Sequence, residues 1–154
     1  MSGADHAGVR IPPPLIFLAG LAVGGGIEIA APTGNLPLGV AVAVGVAGAA
    51  IWAALDAGAT MLFRRAETSL LPWTPTEALV TSGPFRFTRN PMYLGMAVLY
   101  VGLALAFGLL WVLVVLPVVL LAVDRLVIVR EERYLERAFG EDYRAYRRRV
   151  RRWI

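Results

Sequence analysis

The sequence predicts an all-α integral membrane fold of about four transmembrane helices followed by a cytoplasmic C-terminal helical tail. Three observations carry that prediction. The 154 residues are 58% hydrophobic with a mean hydropathy of +0.65, which is too apolar for a soluble domain of this size. Four apolar stretches, residues 12–31, 36–63, 91–108 and 109–129, are near or above the roughly 20 residues needed to cross about 30 Å of hydrocarbon. Arginine is absent from the two short turns and concentrated in the central loop and the tail, the asymmetry that sets orientation in a membrane.

The first stretch is preceded only by Asp5, His6 and Arg10, and Pro32-Thr33-Gly34-Asn35 after it reads as a turn rather than a small-residue cleavage site, so it is expected to be a retained helix. The second is long enough to tilt or protrude. Together they form a first helical hairpin within residues 1–63. Its glycines, among them Gly20, Gly24, Gly39, Gly45 and Gly48, permit close helix approach, with Gly20 and Gly24 at the four-residue spacing that suits it. Residues 64–90 form a cytoplasmic loop broken by Pro72, Pro75, Gly83 and Pro84, with Trp73 suited to headgroup level. Asn90 is placed as an N-cap and Pro91 in the first helical turn of a second hairpin, 91–129. The tail, 130–154, continues helical to Phe139. Gly140 then serves as a C′ residue, and a second short helix opens on Glu141 and Asp142 and ends among arginines, the order the helix macrodipole favours. Arg148, Arg149, Arg151 and Arg152 read as lipid-facing charge and Trp153 as an anchor. All of this forms one domain.

Arginine placement puts both termini and the long loop in the cytosol. The net charge of +4 and pI near 10.1 do not point to nucleic acid, because the basic residues sit where anionic headgroups would meet them. With no cysteine there is no disulfide, thiol nucleophile or zinc-thiolate site, and the lone His6 leaves no metal constellation. Ionisable residues inside spans call for a role. Asp56 and Arg125 fall at similar inferred depth and are expected to pair between helices. Glu28, toward the outer end of the first span, is expected to reach the interface.

The richest segment is Gly83-Pro84-Phe85-Arg86-Phe87-Thr88-Arg89-Asn90-Pro91-Met92-Tyr93-Leu94-Gly95, basic and turn-rich, running straight into an apolar stretch. It places polar chemistry at a membrane surface. With the Glu131-Glu132 pair after the last span and the Phe139-Gly140-Glu141-Asp142-Tyr143-Arg144-Ala145-Tyr146 ending, it resembles the isoprenylcysteine carboxyl methyltransferase and phospholipid methyltransferase superfamily. The likeness runs from Arg64 to the C-terminus. It implies a single membrane methyltransferase domain that uses S-adenosyl-L-methionine from the cytosol and takes a lipophilic or prenylated small molecule from the bilayer. Isoprenylcysteine carboxyl O-methylation is the leading reading, and N- or S-methylation of a phospholipid or other small lipophile the alternative. The competing non-enzyme class is a lipid-binding four-helix scaffold, which would not need the two glutamates.

Methyl transfer from a sulfonium is an in-line displacement, so the protein must align two partners and exclude water, with no metal or covalent nucleophile required. The cofactor's ammonium, carboxylate, ribose and adenine call for acidic, basic, hydrogen-bonding and apolar or aromatic partners, and all four kinds occur in residues 86–93 and 130–147. The resemblance puts cofactor binding at Glu131 and Glu132. Neighbours on a helix point about 100° apart, so one glutamate is expected to take the ribose or the ammonium and the other to pair with a nearby arginine. A merely solvated face would carry like-charged i,i+4 pairs, Glu132 with Glu136 and Arg133 with Arg137, and explains the pattern poorly. Arg89 is expected to steer an anionic acceptor and, with Glu132, to be catalytic, the alternative being a positive-inside anchor. Asn90 stands where the family often has histidine and can only hydrogen-bond. With Pro91 and Tyr93 it is expected to line the cofactor site, although Tyr93 also suits a headgroup belt. Tyr143 and Arg147 share a helical face, and the resemblance assigns their element to closing that site, against the alternative of an amphipathic helix on anionic lipid. Glu67 stands where relatives often have glycine.

Overall fold

The computed structural model describes residues 7–69 and 74–154, and among them every regular element is helical. His6 and Trp73, assigned roles from the sequence, lie outside the described residues. Helix α1 (Pro13–Ala30) opens on consecutive prolines, whose missing N–H groups cost nothing in a first turn. Helix α2 (Leu38–Arg65) has 28 residues and spans about 42 Å at roughly 1.5 Å per residue, longer than the hydrocarbon layer. It ends on Arg64 and Arg65, where cations suit the helix dipole. Helix α3 (Pro91–Ala106) follows a short 3₁₀ turn, Gly83–Arg86. Helix α4 (Leu110–Val123) passes through a π-helical turn, Asp124–Ile128, into α5 (Val129–Arg149) without a break. Three helical stretches, α1, α2 and the continuous α4–α5, are long and apolar enough to cross a membrane, and α3 is a shorter apolar helix. Within α5, Gly140 adopts φ 53° and ψ −120° and bends the chain, so that 141–149 turns away from the line of α4. Glycine supplies this conformation without the Cβ clash another residue would meet.

The helices joined by short turns are not the ones that pack. Helix α1 lies against α4 and α2 against α3, while α1 and α2 barely touch. The small residues do allow close approach, but to partners distant in sequence. A Cβ on Gly24 would lie 2.6 Å from the Val112 Cα of α4, and one on Gly48 would lie 3.1 Å from the Gly102 Cα of α3. The core between them is formed by Phe17, Tyr100, Ala104, Val112, Val119 and Val123, with the Phe17 and Tyr100 rings edge-on at 5.9 Å.

One expectation about charge within the spans is corrected, that of Asp56. Glu28, at the end of α1, is buried and accepts hydrogen bonds from the Thr33 N–H and hydroxyl, both at 2.5 Å, and from the Trp111 N–H at 3.2 Å. It caps the α1–α2 turn and ties it to the start of α4, beside a 2.8 Å bond from the Trp111 indole to the Ala31 carbonyl. Asp56 does not pair with Arg125. Because α2 and α4 pack on different partners, Arg125 meets its own neighbour Asp124 at 3.5 Å and stays 72% exposed. The turns at 31–37 and at Gly108 meet at one end of the bundle, since a Cβ on Gly108 would lie 2.8 Å from the Gly34 carbonyl oxygen. The loop after α2 and all of α5 gather at the other.

Candidate functional site

The site is built where the start of α3 meets the last residues of the chain. The Arg89 N–H donates to the Arg151 carbonyl at 2.9 Å, the Thr88 hydroxyl to the Arg152 carbonyl at 3.0 Å and the Asn90 amide to the same carbonyl at 2.9 Å. Asn90 occupies the N-cap position, but its side chain makes no cap bond to α3. It holds the tail instead, a correction to its expected role. Pro91 opens the helix as expected.

These backbone ties bring four charged side chains together. Arg89 pairs with Glu132 at 2.7 Å and also donates to the Val150 carbonyl at 2.6 Å and the Arg147 carbonyl at 3.2 Å. Arg152 pairs with the other oxygen of Glu132 at 2.5 Å and with Asp124 of the π turn at 2.9 Å. The expectation that Arg152 is lipid-facing charge is therefore corrected: Arg152 completes a part-buried network, while Trp153 packs against the core cluster. Burial alone would raise the Glu132 carboxyl, but the hydrogen bonds and charges of Arg152 and Arg89 outweigh it and hold it below the usual carboxylate range. The Arg152 guanidinium is held charged in return, chiefly by its hydrogen bond to Glu132.

Glu131 points elsewhere. Its Oε1 accepts from the Tyr93 hydroxyl at 2.6 Å, and among the described residues its second oxygen has no hydrogen-bond partner. Burial pushes its carboxyl up to about 7; the Tyr93 hydroxyl opposes the shift and the charge of Glu132 adds to it. Of the two adjacent glutamates, then, Glu132 has the arginine partners and Glu131 has an oxygen without a partner among the described residues.

Both face one pocket, which Arg89, Asn90, Pro91, Tyr93 and Tyr143 also line. Arg147 does not: its guanidinium lies on the outer side of α5 and pairs with Glu136 at 3.2 Å, while Tyr143 is 1% exposed. The pocket also has walls that the sequence reading did not nominate, namely Phe63, Phe85, Met92, Tyr134, Leu135 and Tyr146. Tyr134 and Leu135 follow Glu131 by three and four residues, a helical signal that was available. Tyr134 accepts from the Thr76 N–H and Tyr146 donates to the Phe85 carbonyl, both at 2.8 Å, so the aromatic wall also pins the long loop. Burial pushes the Tyr146 phenol up to about 12 and raises Tyr143 as well, which keeps both neutral.

A second concavity adjoins the first. It is an apolar groove between α1 and α2, floored by α3 and lined by Phe17, Leu18, Leu21, Trp52, Asp56, Thr60, Met96, Leu99 and Tyr100. Met92 and Tyr93 belong to the walls of both. It exists because α1 and α2 pack on different partners and leave the space between them open.

The pocket thus offers a carboxylate oxygen without a partner among the described residues, the Asn90 side chain and an aromatic and aliphatic wall. The phospholipid methyltransferase family model matches residues 36–142, well over half of the chain. An uncharacterized protein of Haemophilus influenzae is 38% identical over 65 residues, which cover 41% of this chain and 100% of that one. No solved structure matches. A family match of this extent, on apolar helices that carry a polar pocket at one end, makes the chain a member of the phospholipid methyltransferase family, within the superfamily of integral membrane methyltransferases.

Proposed function

We propose that the protein transfers the methyl group of S-adenosyl-L-methionine to a lipophilic acceptor, with the cofactor in the Glu131 pocket and the acceptor in the apolar groove. The observation that carries this reading is the junction of the two at Met92 and Tyr93, which sets a polar and an apolar binding space against a shared wall. When bound, the cofactor supplies an electrophilic methyl carbon on a positively charged sulfur. The chain's own task is to bind, align and keep out water. Glu131 offers its free oxygen to the ammonium or ribose, while Phe85, Tyr134 and Tyr143 offer faces to the adenine. The Arg89–Glu132–Arg152 network sets the position of α5 against α3. It thereby fixes Glu131 relative to Tyr93, a positioning role rather than contact with the acceptor.

Of the two acceptor classes, the phospholipid-type amine is favoured over the isoprenylcysteine carboxylate. The carboxylate reading relied on Arg89 as an anion guide, and that guanidinium is committed to Glu132 and two backbone carbonyls. Arg64, Arg65, Arg130, Arg133 and Arg137 all lie near the pocket end of the bundle, which supports a cytosolic pocket and cytosolic termini.

The test is a thermal-shift titration of the detergent-solubilised protein with S-adenosylmethionine and S-adenosylhomocysteine, beside Glu131→Gln. Ligand at about 100 times its Kd should stabilise the wild type by about 2.7 kcal/mol, and the variant should need far more ligand. No saturable shift in a well-folded wild type would sink the cofactor assignment and favour the lipid-binding scaffold.

A further inference from the structure

Asp56 is the one charged side chain on the walls of the apolar groove, and among the described residues it has neither a hydrogen bond nor an ion pair. A carboxylate without a partner in a membrane helix is costly, and it is kept where it meets something. Its depth follows from the packing of α2 on α3. A Cβ on Gly95 would lie 3.3 Å from the Trp52 ring and 3.4 Å from the Leu55 Cβ, so Gly95 stands beside residues 52–55. The two helices run in opposite directions. One turn beyond Trp52 is therefore level with about one turn before Gly95, which places Asp56 beside Met92 and Tyr93, where groove and pocket join. By helix rise it is about 13 Å from Arg65, within the apolar part of α2.

We infer that Asp56 is the specificity-determining residue of the groove and receives the cationic head of a lipophilic amine whose hydrocarbon tail lies along Leu18, Leu21, Trp52 and Leu99. Charge complementarity selects this occupant. A carboxylate head would meet a like charge at this depth, and a neutral lipophile would leave Asp56 desolvated and unpaired. Thr60, one turn along the same face of α2, offers a hydroxyl to the same head. The inference rests on the groove being the acceptor side of the proposed methyl-transfer site, and it adds the residue that reads the acceptor's charge and takes the proton an ammonium must lose before its nitrogen lone pair can attack the methyl carbon.

The test separates the two. Equilibrium binding of dodecylamine and of dodecanoate to the protein in a non-ionic maltoside detergent is measured for the wild type, Asp56→Asn and Asp56→Glu, with the thermal shift by S-adenosylhomocysteine recorded on each. The wild type should bind dodecylamine saturably, Asp56→Asn about tenfold or more weakly, and Asp56→Glu should recover much of the loss, while dodecanoate binding is not weakened by Asp56→Asn. The thermal shift should be the same in all three proteins. Equal dodecylamine affinity in wild type and Asp56→Asn would overturn the role of Asp56 whatever the cofactor result. An absent thermal shift alongside Asp56-dependent amine binding would instead overturn the methyl-transfer reading and leave Asp56 as an amine site.

Discussion

Glu131 and Glu132 differ in environment far more than one step along a helix suggests, and pH separates their effects. The Glu132 carboxyl is depressed, so its contribution to stability is present above its unfolded value near 4.5 and is lost as pH falls through its lower folded value. Glu131 is raised from 4.5 to about 7, so between those values the folded chain holds a proton that the unfolded chain has released. Stability of the ligand-free protein should therefore decline as pH rises from about 4.5 to 7 and level off above. Cofactor affinity should run the opposite way, because only the ionised Glu131 attracts an ammonium. Thermal denaturation at a series of pH values, with and without S-adenosylhomocysteine, should show the two trends crossing, and Glu131→Gln should flatten both. Parallel trends would mean that Glu131 does not meet the cofactor's ammonium. Glu67, where the resemblance leads one to expect glycine, has a φ of 50°, a left-handed conformation that costs an ordinary residue about 1–2 kcal/mol. Arg152 shows the opposite case. In a run with Arg148, Arg149 and Arg151 nothing local marks it as the arginine that turns inward, because its partners, Glu132 and Asp124, are 20 and 28 residues away.

At the level of elements, local chemistry was legible and partnership was not. Pro91 opening α3, Gly140 bending α5 and the arginines ending α2 each follow from backbone sterics or the helix dipole, which act within a turn or two. The π turn at 124–128 does not. It inserts a widened turn into an apolar run that reads as plain helix, and its register serves the Asp124–Arg152 contact. Likewise Gly20 and Gly24 announce a close approach without saying to which helix, and adjacency suggested α2 where packing supplies α3 and α4. The glycines now divide into two groups with opposite predicted behaviour. Gly24→Ala drives a methyl into the Val112 backbone and should destabilise the protein by about 1–3 kcal/mol. Gly25→Ala and Gly26→Ala meet nothing within 4 Å and should be neutral or stabilising by up to about 1 kcal/mol through helix propensity. Denaturation in mixed micelles checks the contrast, and equal effects at the three positions would refute the α1–α4 interface.

For the whole molecule, the pairing of α1 with α4 and of α2 with α3 does more than close a bundle, because it leaves a gap between α1 and α2 that runs to the polar pocket. A tightly packed first hairpin would have filled that space, so the non-sequential packing is what opens a flank groove to Tyr93 apart from the pocket at the end of the bundle, the two spaces that the proposed function assigns to acceptor and cofactor. The two routes should be separable by blocking one of them. The sequence contains no cysteine, so a single introduced thiol can be alkylated without competition. Leu99→Cys places it on the groove wall, and Val118→Cys, at a side chain 66% exposed on α4 and absent from the groove lining, is its control. Coupling a bulky hydrophobic maleimide to Leu99→Cys should abolish methyl transfer to a lipid acceptor by more than about tenfold while leaving the stabilisation by S-adenosylhomocysteine unchanged, and the same label on Val118→Cys should alter neither. Loss of both properties in labelled Leu99→Cys would mean that groove and pocket form one undivided space. Retention of transfer would mean that the acceptor reaches Tyr93 by another path.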